Sequence, residues 1–216
     1  WLTFFPQNRM DPLADGFGAL ETLEENRIQP GADITRQPNR DGEVVTYVRQ
    51  GTITQDDMTG GSDVIHASEF HHRTTRRNVL HHERNARYAG WAHVFRMSLH
   101  PSEHSNVSEQ RFFSVAQRRN VLCIVVSPDG REGSLSVRQD TLIGSAILDV
   151  GQHLVHELSL VRSAWLHLVK GELNLGDIVL LPGDSAGYIA ERAVSLTAME
   201  EAEILLFDFG TTLQGS

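Results

Sequence analysis

The chain reads as an all-β protein built from two tandem barrels. Three observations carry that reading. Short β-branched or aromatic runs such as Val44-Val45-Thr46-Tyr47-Val48 and Trp165-Leu166-His167-Leu168-Val169 recur along the chain, each followed by a glycine, Gly51 or Gly171. Helical periodicity is scarce: Pro12 to Leu20 is too glycine-rich, and Ser105 to Val115 allows at most a short connecting helix or an extended linker. The chain also repeats itself. Gly31, Gln37-Pro38-Asn39 and Gly51 are answered by Gly151, Glu157-Leu158-Ser159 and Gly171 at one constant offset. Many short strands with frequent turns suit a sandwich or barrel, and the repeat makes two of them.

Bulk composition sets the outer limits. A length of 216 residues, 40% of them hydrophobic, allows two compact cores, and 18 Gly with 7 Pro supply the turns. The polar mid-chain stretch divides the sequence into 1–104, a linker at 105–118, and 119–216. A net charge of −9 argues against general binding of a phosphate backbone, so no direct contact with nucleic acid is expected. No apolar stretch approaches the roughly 20 residues that span a bilayer, and no signal-peptide pattern opens the chain, so no membrane association is expected. Starting at Trp1, the chain is expected to lack some N-terminal residues of the full protein. The single cysteine, Cys123, lies in the apolar run Val121 to Val126 and reads as a buried strand residue. With no disulfide framework, a reducing cytoplasm is the expected location.

The repeat frame also has chemical meaning. Its two marked sites, Gln37 and Asn39, are one residue apart, and residues i and i+2 of a strand project to the same side, where both reach one point inside a barrel. His81 and Glu83 form a second such pair, with His82 facing the other way. Two such pairs converging on one open position are the arrangement that a transition metal needs.

At these residues the sequence resembles the pirin family and the pirin-like bacterial quercetin 2,3-dioxygenases. The resemblance rests on Trp1-Leu2-Thr3-Phe4, Asp11-Pro12, Gly16 to Leu20, Gly31, Glu43 to Val48, Gly51, Asp56-Asp57 and His81-His82-Glu83. Farther on it rests on Ser127 to Leu135, Gln139-Asp140 and Leu205 to Asp208, so it covers nearly the whole chain. It implies two cupin domains, each a double-stranded β-helix or jelly roll. It also implies a metal site in the first of them at the positions of Gln37, Asn39, His81 and Glu83, with Glu83 as the catalytic candidate.

The departures from the family pattern decide what to expect of function. Gln37-Pro38-Asn39 stands where the family has His-Pro-His, and carboxamide oxygens are poor ligands for metals that prefer imidazole. Gln55 replaces a family histidine in the strand after Gly51, and a glycine-rich turn reads Thr75-Arg76-Arg77-Asn78. The expectation is therefore that no cofactor is bound, or at most one divalent metal (iron, manganese, nickel, copper or zinc) in the first cupin. Gln55, Arg76 and Arg77 become candidates for contact with a small-molecule or anionic ligand, and a protein partner is the other expected class. A replacement metal site from His71, His72 and His82 is disfavoured by strand alternation. His93, His100 and His104 are expected on the outer surface or in the linker. In the second cupin the ligand slots read Glu157, Ser159, Leu196 and Ala198, which predicts no metal there. Two functions remain: a binding or regulatory module that has lost or altered the oxygenase activity, or a metal-dependent dioxygenase acting on a flavonol or related phenolic.

Overall fold

The computed structural model describes residues 1–4, 10–36, 41–57, 61–100 and 107–210. They divide into two compact units: Trp1–Gly16 with Leu20–Phe112, and Phe17–Ala19 with Phe113–Ser216. Both are built almost wholly of antiparallel strands.

The first unit contains β1 (Leu20–Ile28), β2 (Asp33–Arg36), β3 (Gly42–Gln50), β4 (Thr52–Asp57), β5 (Ser62–His66), β6 (Glu69–Thr75), β7 (His81–Asn85), β8 (Ala92–Leu99) and β9 (Ser108–Phe112). A five-stranded sheet runs β1-β8-β3-β6-β9, and a four-stranded sheet runs β2-β7-β4-β5. Strand alternation sets what faces inward. On β3, Val44, Thr46 and Val48 share a face, and their register partners on β8 are Ser98, Arg96 and Val94. One end of the interior is apolar, with Ile28, Val48, Ile53, Ile65, Ala92 and Val94 packed together. The rest is polar. Gly51 reverses the chain between β3 and β4 with φ of 90°, and a Cβ there would lie 2.9 Å from the Ala92 backbone.

The stretch read as a linker divides in two. Ser108–Phe112 forms β9 on the edge of the first unit, pairing with β6 from Glu69↔Phe112 to Arg73↔Ser108. Val115–Arg118 forms the short helix α1 of the second unit, closed by a capping box in which Ser114 Oγ accepts from the Gln117 amide and Gln117 Oε1 accepts from the Ser114 amide. His104 lies outside the described residues.

The second unit contains β10 (Cys123–Ser127), β11 (Leu135–Ser136), β12 (Thr141–Leu148), β13 (His153–Glu157), β14 (Ser163–Lys170), β15 (Leu173–Asn174), β16 (Val179–Leu180), β17 (Ser185–Tyr188), β18 (Ala193–Ala198) and β19 (Ala202–Phe209). Its sheets run β11-β10-β12-β19-β14-β17 and β13-β18-β15-β16. Between them Leu154, Leu166, Leu168, Leu196, Ile204 and Leu206 form part of a continuous aliphatic core. Gly171 does here what Gly51 does in the first unit, with φ of 86° and a would-be Cβ 2.4 Å from the Glu201 carbonyl oxygen. Cys123 is only half-buried, at the start of β10.

Candidate functional site

The site forms inside the first unit, at the polar end of its interior. β7 carries the burial pattern that alternation predicts: His81, Glu83 and Asn85 are buried, and His82 and Arg84 are exposed. The His82 ring turns outward to Thr35 Oγ1 at 3.1 Å. On β4, Gln55 lies opposite Glu83 in register and is 2% exposed.

Gln55 organises the centre. Its Nε2 donates to Glu83 Oε1 at 2.7 Å and to Thr46 Oγ1 at 3.3 Å. That orientation leaves Gln55 Oε1 to accept from His71 Nδ1 at 3.0 Å, which places a proton on Nδ1. His71 Nε2 lies 2.9 Å from Ser108 Oγ, which is also 2.9 Å from Asp63 Oδ2. Burial holds the His71 imidazole down to a pKa of about 4, against the pull of Asp63. A polar chain thus runs from the interior carboxylate of Glu83 through Gln55 and His71 to the strand edge at β9. His72, one residue on, points the other way and sits 3.1 Å from Glu43 Oε1, so the two histidines cannot share a site.

Arg36 and Arg96 are what the sequence reading missed. Arg96 on β8 donates from Nη2 to Glu83 Oε1, and both side chains are buried. Arg36, at the end of β2, donates from Nη1 to Glu24 Oε2 at 2.6 Å, and its Nε lies 3.5 Å from Glu83 Oε2. Burial pushes the Glu83 carboxyl upward in pKa, opposed by the Gln55 hydrogen bond and then by Arg36 and Arg73. A cavity of about 600 Å³ opens onto this group, and Arg36, Arg73 and Arg96 all line it together with His81 and Gln55. The signal for Arg96 was an arginine in step with Val94 and Ser98 inside an otherwise apolar strand.

Of the residues proposed from sequence, His81 and Gln55 line this cavity and Glu83 is hydrogen-bonded to two of its lining residues, Gln55 and Arg96, while Gln37 and Asn39 lie outside the described residues. Arg76 and Arg77 are exposed and are not among the residues lining the cavity. The Arg77 amide is bound by Asp41 Oδ1 at 2.7 Å. His93, expected on the surface, is 6% exposed. It lies 2.6 Å from Glu25 Oε1 and packs on the Phe95 ring, a cross-strand partnership that alternation alone does not reveal. In the second unit, the register pair Leu154↔Leu196 matches Ile34↔Glu83. The counterparts of His81 and Glu83 are therefore Val194 and Leu196, one strand step from the slots Leu196 and Ala198 read from sequence.

Of the four positions that would hold a metal, His81 and Glu83 are described, and Gln37 and Asn39 bring carboxamides where the family has imidazoles. Among the described residues no group of three or more His, Cys, Asp or Glu side chains is placed to hold an ion. Glu83 Oε1 already accepts from Arg96 and Gln55, so a guanidinium supplies the positive charge that a metal would bring to this carboxylate.

Two jelly-roll barrels in tandem, one with a polar interior and a buried carboxylate, define the class of the bicupins. Residues 3–98 match the family profile described as Pirin, and residues 124–209 match the quercetinase C-terminal cupin domain. A quercetin 2,3-dioxygenase of Escherichia coli K12 is 31% identical over 210 residues, covering 96% of this chain and 90% of that protein. The chain belongs to the pirin family. The crystal structure of YhhW from Escherichia coli matches at a TM-score of 0.87 and 29% identity, covering 100% of this chain and 92% of that one. A second structure, bacterial pirin YhhW in complex with nickel(II), matches at a TM-score of 0.84 over 98% of this chain and 91% of that one.

Proposed function

We propose that this pirin-family bicupin is a binding or regulatory module in which an arginine–glutamate pair has replaced the metal of the first cupin. The observation that carries the reading is the engagement of Glu83 Oε1 by Arg96 and Gln55 in a buried site. A metal ion there would have to displace a guanidinium from a low-dielectric interior and accept Gln37 and Asn39 in place of two imidazoles. Each tenfold loss of affinity on replacing an imidazole weakens binding by about 1.4 kcal/mol, so the two replacements together disfavour a metal. A cytoplasmic location belongs to the same proposal, supported by the single unpaired cysteine.

The test is metal content by inductively coupled plasma mass spectrometry. Untagged protein is incubated with iron, manganese, nickel, copper and zinc and then desalted. The expected result is far less than one ion per chain in every sample. Near-stoichiometric metal that disappears in His81→Ala would overturn the reading.

A second reading has one observation in its favour. His81 and Glu83 still share the inward face of β7, as a residual metal site would require, and the Escherichia coli relatives carry the quercetin 2,3-dioxygenase name and a nickel complex. Under that reading the protein consumes oxygen with quercetin once loaded with nickel. Under the favoured one it does not.

A further inference from the structure

We propose that β13 is a docking edge at which a second copy of this chain pairs in antiparallel register, with Val155 opposite Val155 of the partner subunit. This edge lies wholly in the second unit, so the pairing is independent of what the first barrel holds.

β13 is the longest edge strand of the second unit and the terminal strand of the sheet β13-β18-β15-β16, so one of its sides has no strand beside it. The Leu158 amide donates to the Arg192 carbonyl and the Gln152 carbonyl accepts from the Ala198 amide, both in the register that joins β13 to β18. Hydrogen-bonding direction alternates along a strand. Leu154 and His156 therefore bond to β18 in step with Gln152 and Leu158, and the amides and carbonyls of His153, Val155 and Glu157 point out of the open side. The Gln152 side chain donates to the His153 carbonyl at 3.1 Å. No turn or loop backbone group among the described residues reaches Val155 or Glu157. In the first unit, by contrast, the edge strands of five or more residues are shielded. Trp1 and Thr3 bond along β1, Gln110 Nε2 donates to the Val64 carbonyl on β5, and Arg111 Nη1 donates to the Gln110 carbonyl on β9.

The strand is also complementary to itself. Antiparallel pairing about Val155 sets His153 opposite Glu157 of the partner subunit, and Glu157 opposite the partner's His153. These side chains are exposed on the outer face of the sheet, while Leu154 between them turns into the core. The His153 ring is steadied by Thr197 Oγ1 at 3.0 Å, and Glu157 has no ion-pair partner among the described residues. Val155, 53% exposed, meets the partner's Val155 at the two-fold axis. Val150 before the strand and Leu160 after it are each 69% exposed. Antiparallel pairing lays the start of one strand beside the end of the other, so each of these apolar side chains faces the opposite one on the partner. A contact made twice about one two-fold axis closes at two copies. Pairing along five residues buries little surface, which puts the dimer in the weak class with a Kd on the order of 10 µM.

Sedimentation velocity of the full chain from about 1 to 100 µM tests this pairing, since that range brackets the expected Kd. The mass is expected to rise toward two chains and no further. Val155→Pro removes an amide from the open side, where it serves no bond to β18, and proline is tolerated on a strand edge of that kind. The variant is expected to stay monomeric over the whole range with an unchanged far-ultraviolet circular dichroism spectrum. Glu157→Lys, which puts a positive charge against the partner's His153, is expected to weaken association by about tenfold or more. Adding His153→Glu restores opposite charges across the pair and is expected to return association to within about threefold of the unaltered chain. A monomer at every concentration, assembly beyond two copies, or association unchanged by Val155→Pro or by Glu157→Lys would each overturn the proposal. If Val155→Pro does not fold, the charge pair alone decides.

Discussion

The two barrels share a framework and differ in what fills them. Thr46 on β3 faces Arg96 on β8, and the equivalent register pair on β14 and β19 is Leu166 and Leu206. Glu83 on β7 corresponds to Leu196 on β18. In the second barrel these leucines belong to a continuous aliphatic core. In the first, the same backbone positions hold a buried ion pair and its hydrogen-bonding partners beside a cavity of about 600 Å³. One scaffold thus supports two interiors, and the first gives up apolar burial in exchange for a site. The turn glycines Gly51 and Gly171 are common to both because backbone crowding at those turns is independent of what the barrel holds.

The sharpest way to break this comparison is to make one barrel resemble the other by halves. Arg96→Leu alone leaves Glu83 buried without its guanidinium and is expected to cost about 3–5 kcal/mol in urea unfolding. The double variant Arg96→Leu, Glu83→Leu copies the second barrel's chemistry and is expected to recover most of that loss. A double variant no more stable than the single one would mean that the pair is not the unit of stability proposed here. Next in size, Leu206→Ala in the second barrel should cost about 3 kcal/mol, since it leaves a cavity in a packed core, whereas Thr46→Ala beside the existing cavity should cost less than about 1 kcal/mol.

The pH dependence of the first barrel should carry the signature of His71. With a folded pKa of about 4 against 6.5 unfolded, the unfolded chain takes up a proton first as the pH falls. Stability is therefore fully present above pH 6.5 and lost on acidification toward pH 4, by at most about 3 kcal/mol. His71→Gln should flatten the unfolding midpoint over that window, and an unchanged slope would place the titration elsewhere. The smallest effect is expected from Arg76→Ala, Arg77→Ala. Both residues are exposed, and stability should move by no more than about 0.5 kcal/mol.

Much of this was legible in the sequence because it obeys short-range rules. Alternation placed His81 and Glu83 on one face, the turn glycines marked the repeat, and Gln55 fell where an inward side chain was expected. What escaped were partnerships between distant strands. Arg96 looks like any charged residue until Glu83, 13 residues earlier, is brought against it, and Arg36 looks like the end of a strand until Glu24 is beside it. His93 was read as exposed because its partner Glu25 is 68 residues away. Arg76 and Arg77 stood out in the sequence as ligand candidates, but the strand end that separates them from Arg73 did not. Arg73 belongs to β6 and lines the cavity, while Arg76 and Arg77 follow the strand's end and face solvent.

The placement of β9 bears on how the chain can be cut. Ser108–Phe112 adds the fifth strand to the first unit's sheet and brings Ser108 to His71, so a fragment ending at residue 104 would forfeit both. Its β6 would become a bare edge with open amides and carbonyls, the kind of surface along which chains stack into aggregates. An N-terminal fragment extended through Phe112 keeps that edge covered, but it takes with it Phe17–Ala19, which belong to the second unit, so no single cut separates the two.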